Sequence, residues 1–215
     1  TLLSSGKVLV AGSWRSSATA EVYDPATHSW SSAGTMASIH LDHMAIPLPS
    51  GKVLVAGGGV ANSIITAITE VYDPATNSWS STGAMASARG SYAATLLSSG
   101  KVLVAGSWRS SATAEVYDPA THSWSSAGSM AAARFQHTAT LLPSGKVLVA
   151  GGYTNSSITA AEVYNPDANS WSSAASMATP RSAHTAILLP SGRVLVAGGY
   201  SASGVINTSA ELYTP

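Results

Sequence analysis

Ten basic and ten acidic residues in a chain of 215 cancel to a formal net charge of zero, and only 9% of the residues are charged. That balance excludes the basic footprint a nucleic-acid backbone demands and a polybasic membrane-surface patch, so neither partner is expected. No apolar run reaches the roughly 20 residues of a membrane-spanning helix, and the absence of cysteine removes disulfides, thiolate catalysis and sulfur-based zinc sites. The chain opens at Thr1 with no initiator methionine and no signal-like segment. A processed, excised or engineered origin is therefore expected, and localisation is open.

Along the chain, Thr1-Leu2-Leu3 reads as the tail of a first strand. Gly6 then opens the string G-[KR]-V-L-V-A-G, which recurs at Gly51, Gly100, Gly145 and Gly192, at intervals of 45, 49, 45 and 47 residues. A second string, [AT]-E-[VL]-Y-[DNT]-P, follows with its glutamate at Glu21, Glu70, Glu115, Glu162 and Glu211. A third places Trp30, Trp79, Trp124 and Trp171 in step, each inside S-W-S-S. Thr1–Gly34 is identical to Thr95–Gly128, the mark of recent duplication or deliberate construction. The repeats run approximately 1–39, 40–88, 89–133, 134–180 and 181–215.

Each repeat predicts four short strands, and the fourth repeat shows them most clearly. His137–Leu142 is β-rich and ends at the turn Pro143-Ser144-Gly145. Lys146–Ala150 is an apolar, β-branched run suited to burial on both faces. Gly151-Gly152 permits a backbone conformation or close approach that side chains forbid. Ala161–Tyr164 is the third strand, closed by an Asn165-Pro166 turn, and Ser170–Ala174 is the fourth. Helix is not expected, because Gly, Pro, Ser and Thr interrupt every 3.6-residue period.

Four strands at a period of about 40–50 residues is the signature of propeller blades. The double glycine closing strand two, the tyrosine of strand three and the tryptophan of strand four resemble the kelch repeat, over essentially the whole chain. Gly12-Ser13 and Gly106-Ser107 depart from the double glycine. The expected fold is therefore an all-β, kelch-type β-propeller in a single domain, with five blades of four antiparallel strands and one blade incomplete at the termini. The resemblance implies a ring closed by strands from both ends. Completion by another chain, through self-association at an unpaired sheet edge, and a fragment of a larger ring both stay open.

A meander puts the loops after strands one and three on one face and those after strands two and four on the other. The first set is nearly constant, whereas the second varies in length and content, as a recognition surface would. At the start of the variable loops stand Trp14, Gly59, Trp108, Tyr153 and Tyr200, with Arg15 and Arg109 after the two tryptophans. The aromatics suit stacking on sugars or anchoring a protein partner. The competing reading has them sealing the core between blades. Asn155-Ser-Ser and Asn207-Thr-Ser match the glycosylation acceptor pattern.

A second constellation falls where strand one begins. His40, Arg89, Arg134 and Arg181 occupy one repeat position, and His43, Tyr92, His137 and His184 another. On the inner strand these groups would ring the mouth of a central channel and suit a metal or an anion. Alternatively the arginines pair with the strand-three glutamates and the histidines bond to nearby backbone, as buried charge requires. Galactose-oxidase-like proteins share the kelch-type propeller, but the copper centre that resemblance implies needs a cysteine crosslinked to tyrosine, and the chain has none. Asp42 beside His43 is the one acidic residue breaking the repeat there, a minimal base-and-orienter pair for a hydrolase or oxidase. The reading favoured is a non-catalytic scaffold without cofactor or bound metal, recognising a protein or carbohydrate through its variable face. The rival is a purely structural module with no ligand.

Overall fold

A computed structural model describes residues 1–13, 17–60, 64–108 and 111–215. Trp14, Arg15 and Arg109 of the candidate rim lie outside the described residues. The described chain holds strands and no helix, and all of the principal sheets are antiparallel meanders.

The first sheet is β1 (Val8–Ser13), β2 (Ser17–Asp24) and β3 (Ser29–Thr35), with Leu2 bridged to Val8 where the tail of an inner strand was expected. Next come β4 (Met44–Pro47), β5 (Val53–Ala56), the two-residue pair β6 (Gly59–Val60) and β7 (Ile64–Ile65), β8 (Thr69–Asp73) and β9 (Ser78–Ser81). Of these, β4, β5, β8 and β9 form the second sheet. The third is β10 (Ala93–Leu96), β11 (Val102–Ser107), β12 (Ser111–Asp118) and β13 (Ser123–Ser129); the fourth is β14 (Thr138–Leu141), β15 (Val147–Ala150), β16 (Ala161–Asn165) and β17 (Ser170–Ala174). The fifth, β18 (Thr185–Leu188), β19 (Val194–Ala197) and β20 (Ala210–Tyr213), has three strands. Five four-strand repeats, with the two end sheets short by one strand, make this an all-β propeller of the expected kind.

The chain divides into two compact units: Thr1–Gly90 with Tyr117–Trp124, and Ser91–Val116 with Ser125–Pro215. Within each, the packing follows one rule set by the two-residue alternation of strand side chains. Leucines of the V-L-V-A run face one side of a sheet and valines the other. In the first unit, Leu9, Ala20 and Val22 of the first sheet pack on Val53 and Tyr72 of the second. In the second unit, Leu97, Leu103 and Val116 pack on Val147, Val149 and Tyr164. Leu148, Ala150 and Ala161 pack on Val194 and Val196. Because β15 is covered on both sides, all four of its residues are buried. Each such Val or Leu contributes about 1.5–3 kcal/mol.

The strand-three tyrosine and strand-four tryptophan close the sheet's end away from the variable loops. Tyr164 faces Trp171 across the ladder, with ring centroids 5.1 Å apart, and its hydroxyl donates to Asn169 Oδ1 at 2.9 Å. Asn169 ends the turn in the left-handed region, at φ 47°, where Asn is among the side chains best tolerated. The Trp171 indole N–H crosses to the Ala127 carbonyl at 2.7 Å, as Trp79 does to Ala33. The tryptophan therefore ties each of these sheets to the one before it.

Candidate functional site

The double glycine organises everything above it. A Cβ on Gly151 would lie 2.5 Å from the Arg181 carbonyl and 2.8 Å from His184 Cε1. One on Gly152 would lie 2.8 Å from both the Phe135 carbonyl and His137 Cβ. The pair is thus wedged between the lead-ins to two successive inner strands, and only a backbone without side chains fits there. Gly152, at φ 103°, turns the chain out of the strand and into a long loop. Ser107 occupies the equivalent place without a positive φ, so β11 runs two residues further than β5 or β15 and reverses after three residues. The Gly-Ser departure thus coincides with a longer second strand and with a shorter stretch of sequence before the third.

In the long-loop repeats the residue after the double glycine pairs with the lead-in strand. Gly59 bridges Leu41, Tyr153 bridges Phe135, and Tyr200 bridges Ser182. Tyr153 exchanges both backbone hydrogen bonds with Phe135, at 2.8 and 3.2 Å, and their rings stand 5.4 Å apart. These bridges fix the backbone while leaving the side chains outside. Trp108 is 38% exposed, Tyr153 36% and Tyr200 48%. The core between the sheets of this unit is filled by the Leu and Val rows, and these three residues are absent from it. All three lie in the second unit, at the variable-loop ends of three successive sheets.

The expected ring at a channel mouth is built differently. His40, Tyr92, Arg89, Arg134, His137, Arg181 and His184 are all buried, and only Asp42 is exposed, with His43 partly so. Arg134 donates from Nη1 to the carbonyls of Gly151 and Ala160, at 3.1 and 2.8 Å, and from Nη2 to Glu162 Oε1 at 2.5 Å. Arg181 repeats the arrangement on Gly198, Ser209 and Glu211. In the second repeat His40 takes this place, with Nδ1 2.6 Å from the Gly57 carbonyl and Nε2 3.2 Å from Glu70 Oε1. Each of these side chains thus staples the end of strand two to the strand-three glutamate. The glutamates also accept the amides that follow the previous sheet: Ala37 and Ser38 for Glu70, Ala178 and Thr179 for Glu211. Burial pushes the Glu70 carboxyl up, but the His40 ring and those two amides outweigh it and hold it below its ordinary value. Pairing with the glutamates makes Arg134 and Arg181 structural ties between neighbouring segments.

The second position of the ring is equally enclosed. Burial, with Arg134 nearby, pushes His137 down to about 3, and burial with Arg181 nearby pushes His184 down to about 4. His184 Nε2 meets Thr138 Oγ1 at 3.0 Å. The residue one repeat before Thr138 is Ala93, which has no hydroxyl, and neither ring nitrogen of His137 has a well-aligned partner. His43 Nδ1 turns to the His40 carbonyl, 3.2 Å away, and not to Asp42. The exposed Asp42 sits at φ 49°, and Ser91, Gln136 and Ala183 adopt the same left-handed backbone one repeat apart. In the second unit these residues link head to tail: the Gln136 amide donates to the Ser91 carbonyl and the Ala183 amide to the Gln136 carbonyl, at 3.0 and 2.9 Å. Asp42 thus occupies a backbone turn position that recurs in four of the five repeats. Among the described residues no three His, Cys, Asp or Glu side chains come together as a metal requires.

One feature was missed from sequence. Grooves of about 450 and 470 Å³ open on the constant-turn face, between the third and fourth sheets and between the first and second. Leu97, Lys101, Ser125, Ser126 and Tyr164 line one; Leu3, Lys7, Ser31, Ser32 and Tyr72 line the other. The serine pairs beside each tryptophan and each Gly-Lys turn were the available signal.

The family model described as the kelch motif matches residues 8–37, 89–131 and 136–178, more than half of the chain. Among solved structures, a copper-bound fungal alcohol oxidase of the AA5 family aligns over 100% of this chain at 18% identity, with a TM-score of 0.60. The chain spans 62% of that protein's length. At that identity the likeness carries the fold alone, and a chain with no cysteine does not fit a copper centre built on a cysteine-crosslinked tyrosine. No curated protein matches the sequence.

Proposed function

The chain belongs to the kelch-repeat family, and from that premise we propose that it is a non-catalytic binding scaffold that recognises a protein or carbohydrate through its variable-loop face. Kelch propellers commonly mediate binding, which supplies the class of function. The observation that carries the reading here is the exposure of Trp108, Tyr153 and Tyr200, the two tyrosines on backbone bridged to the lead-in strands. A flat ring fixed in this way loses little entropy on contact, so its buried area goes largely into affinity. Alanine in place of a central aromatic anchor typically costs about 2 kcal/mol or more of binding.

The test is a glycan array and an affinity pull-down with the unaltered chain, repeated with Trp108→Ala, Tyr153→Ala and Tyr200→Ala combined. Loss of every captured ligand with an unchanged melting temperature is the expected result. Ligands retained by the triple variant, or none captured by the unaltered chain, would instead favour the structural-module reading.

A further inference from the structure

Phe135 is the single phenylalanine of a chain in which almost every other feature is copied. It stands at the lead-in position that Leu41 and Ser182 hold in the other long-loop repeats, and it is bridged to Tyr153. Among the described residues, only this bridge joins two aromatic side chains. Tyr153 is exposed, with Phe135 half-buried beside it and the two rings tilted by 53°. Two side-chain amides accompany the pair. Gln136 follows Phe135, and Asn155 lies two residues after Tyr153. By the antiparallel register, Gln136 falls beside Gly152 while Asn155 lies beyond the opposite end, so the amides flank the rings on both sides. Both are exposed, and neither amide group has a hydrogen-bond partner among the described residues.

The backbone beneath these four side chains is ordered in advance. Gln136 is held at φ 53° by bonds to the Ser91 carbonyl and from the Ala183 amide. Around Asn155, the Thr154 amide donates to the Ser156 carbonyl and the Ile158 amide to the Gly152 carbonyl, at 3.1 and 3.0 Å. Contact therefore costs little ordering of the chain. Charge is missing from the surroundings. Segments 130–137, 152–160, 177–184 and 198–209 hold no Asp, Glu or Lys, and their two arginines, Arg134 and Arg181, are fully buried. An ionised ligand would lose hydration here and find no counter-charge. An uncharged sugar ring fits the same groups. Its C–H face lies against an aromatic ring, and its hydroxyls, which donate and accept, meet amides that do both as well. We propose that Phe135, Gln136, Tyr153 and Asn155 form a subsite for one pyranose ring of an uncharged glycan. The proposal rests on the reading of the variable-loop face as a binding surface and narrows its ligand to a neutral carbohydrate.

The test is an array carrying neutral, sialylated and sulfated glycans, followed by titration of the strongest neutral binder at low and high sodium chloride. Signal is expected from neutral glycans, with an affinity that salt leaves unchanged. Gln136→Ala and Asn155→Ala are each expected to weaken binding about three- to tenfold, the net value of one hydrogen bond. Tyr153→Ala is expected to abolish it, and all three variants keep the melting temperature of the unaltered chain. Alanine is accommodated at position 136, since Ala183 adopts the same left-handed backbone one repeat later. A preference for sialylated or sulfated glycans, an affinity that falls as salt rises, or a neutral glycan bound undiminished by both amide variants would overturn the proposal. Capture of a protein through Tyr153 with no glycan bound would overturn it while leaving the binding-scaffold reading in place. A chain that captures nothing would remove both.

Discussion

Arg134 shows how a repeat protein stores polar chemistry in its interior. The side chain is fully buried, and its energetic value lies in the match between its donors and the three acceptors around it. Removing the guanidinium leaves Glu162 as an uncompensated buried charge, so Arg134→Ala is expected to cost about 3–5 kcal/mol in urea unfolding. The two buried histidines act in the other direction. His137 and His184 remain neutral when folded, down to about 3 and about 4, whereas the unfolded chain protonates them near 6.5. Below that pH the unfolded state binds more protons. Stability is therefore complete above pH 6.5 and falls as pH drops towards 4, by up to about 1.4 kcal/mol per unit for each histidine. The lowered carboxyls of Glu70 and Glu211 add to the loss below their ordinary value of 4.5. Denaturant midpoints measured between pH 8 and 4 check the slope, and His184→Gln is expected to flatten it.

At the scale of the element, the residue after the first glycine of each pair differs in backbone between repeats. Gly152, at φ 103°, follows the end of β15, whereas Ser107 lies within β11 with no positive φ. Gly152→Ala is expected to destabilise by about 2 kcal/mol or more, since the new Cβ meets Phe135 and His137 in a backbone region that resists side chains. Ser107→Gly is expected to cost about 1 kcal/mol, the ordinary entropy of a strand glycine. Thermal unfolding of the pair measures the difference. The strands themselves were legible from the residues: Lys146–Ala150 and Ala161–Tyr164 agree with β15 and β16 to within a residue. What the Gly-Ser variant does was not legible, because a repeat pattern records which residues recur and not the φ at which they sit.

For the whole molecule, the period and the apolar runs were enough to specify an all-β propeller, because no sheet of this kind can bury two faces alone. The candidate site was only partly legible. Counting from the double glycine put Trp108, Tyr153 and Tyr200 at the start of the variable loops, but their exposure depended on whether the intersheet core had room for them, which spacing does not report. For the inner ring the sequence offered a channel-mouth site and, as the favoured reading, pairing of the arginines with the strand-three glutamates; Arg134 and Arg181 make that pairing.

The duplicated stretch has a practical corollary. Cleavage of the protein during hydrogen-exchange mass spectrometry yields fragments from 1–34 and from 95–128 that are chemically the same species. One copy spans an end sheet with exposed Val10, the other an interior sheet with buried Val104. Their shared mass envelope should therefore split into two on deuteration. The split reports two addresses in one molecule, and would be misread as two slowly exchanging conformations.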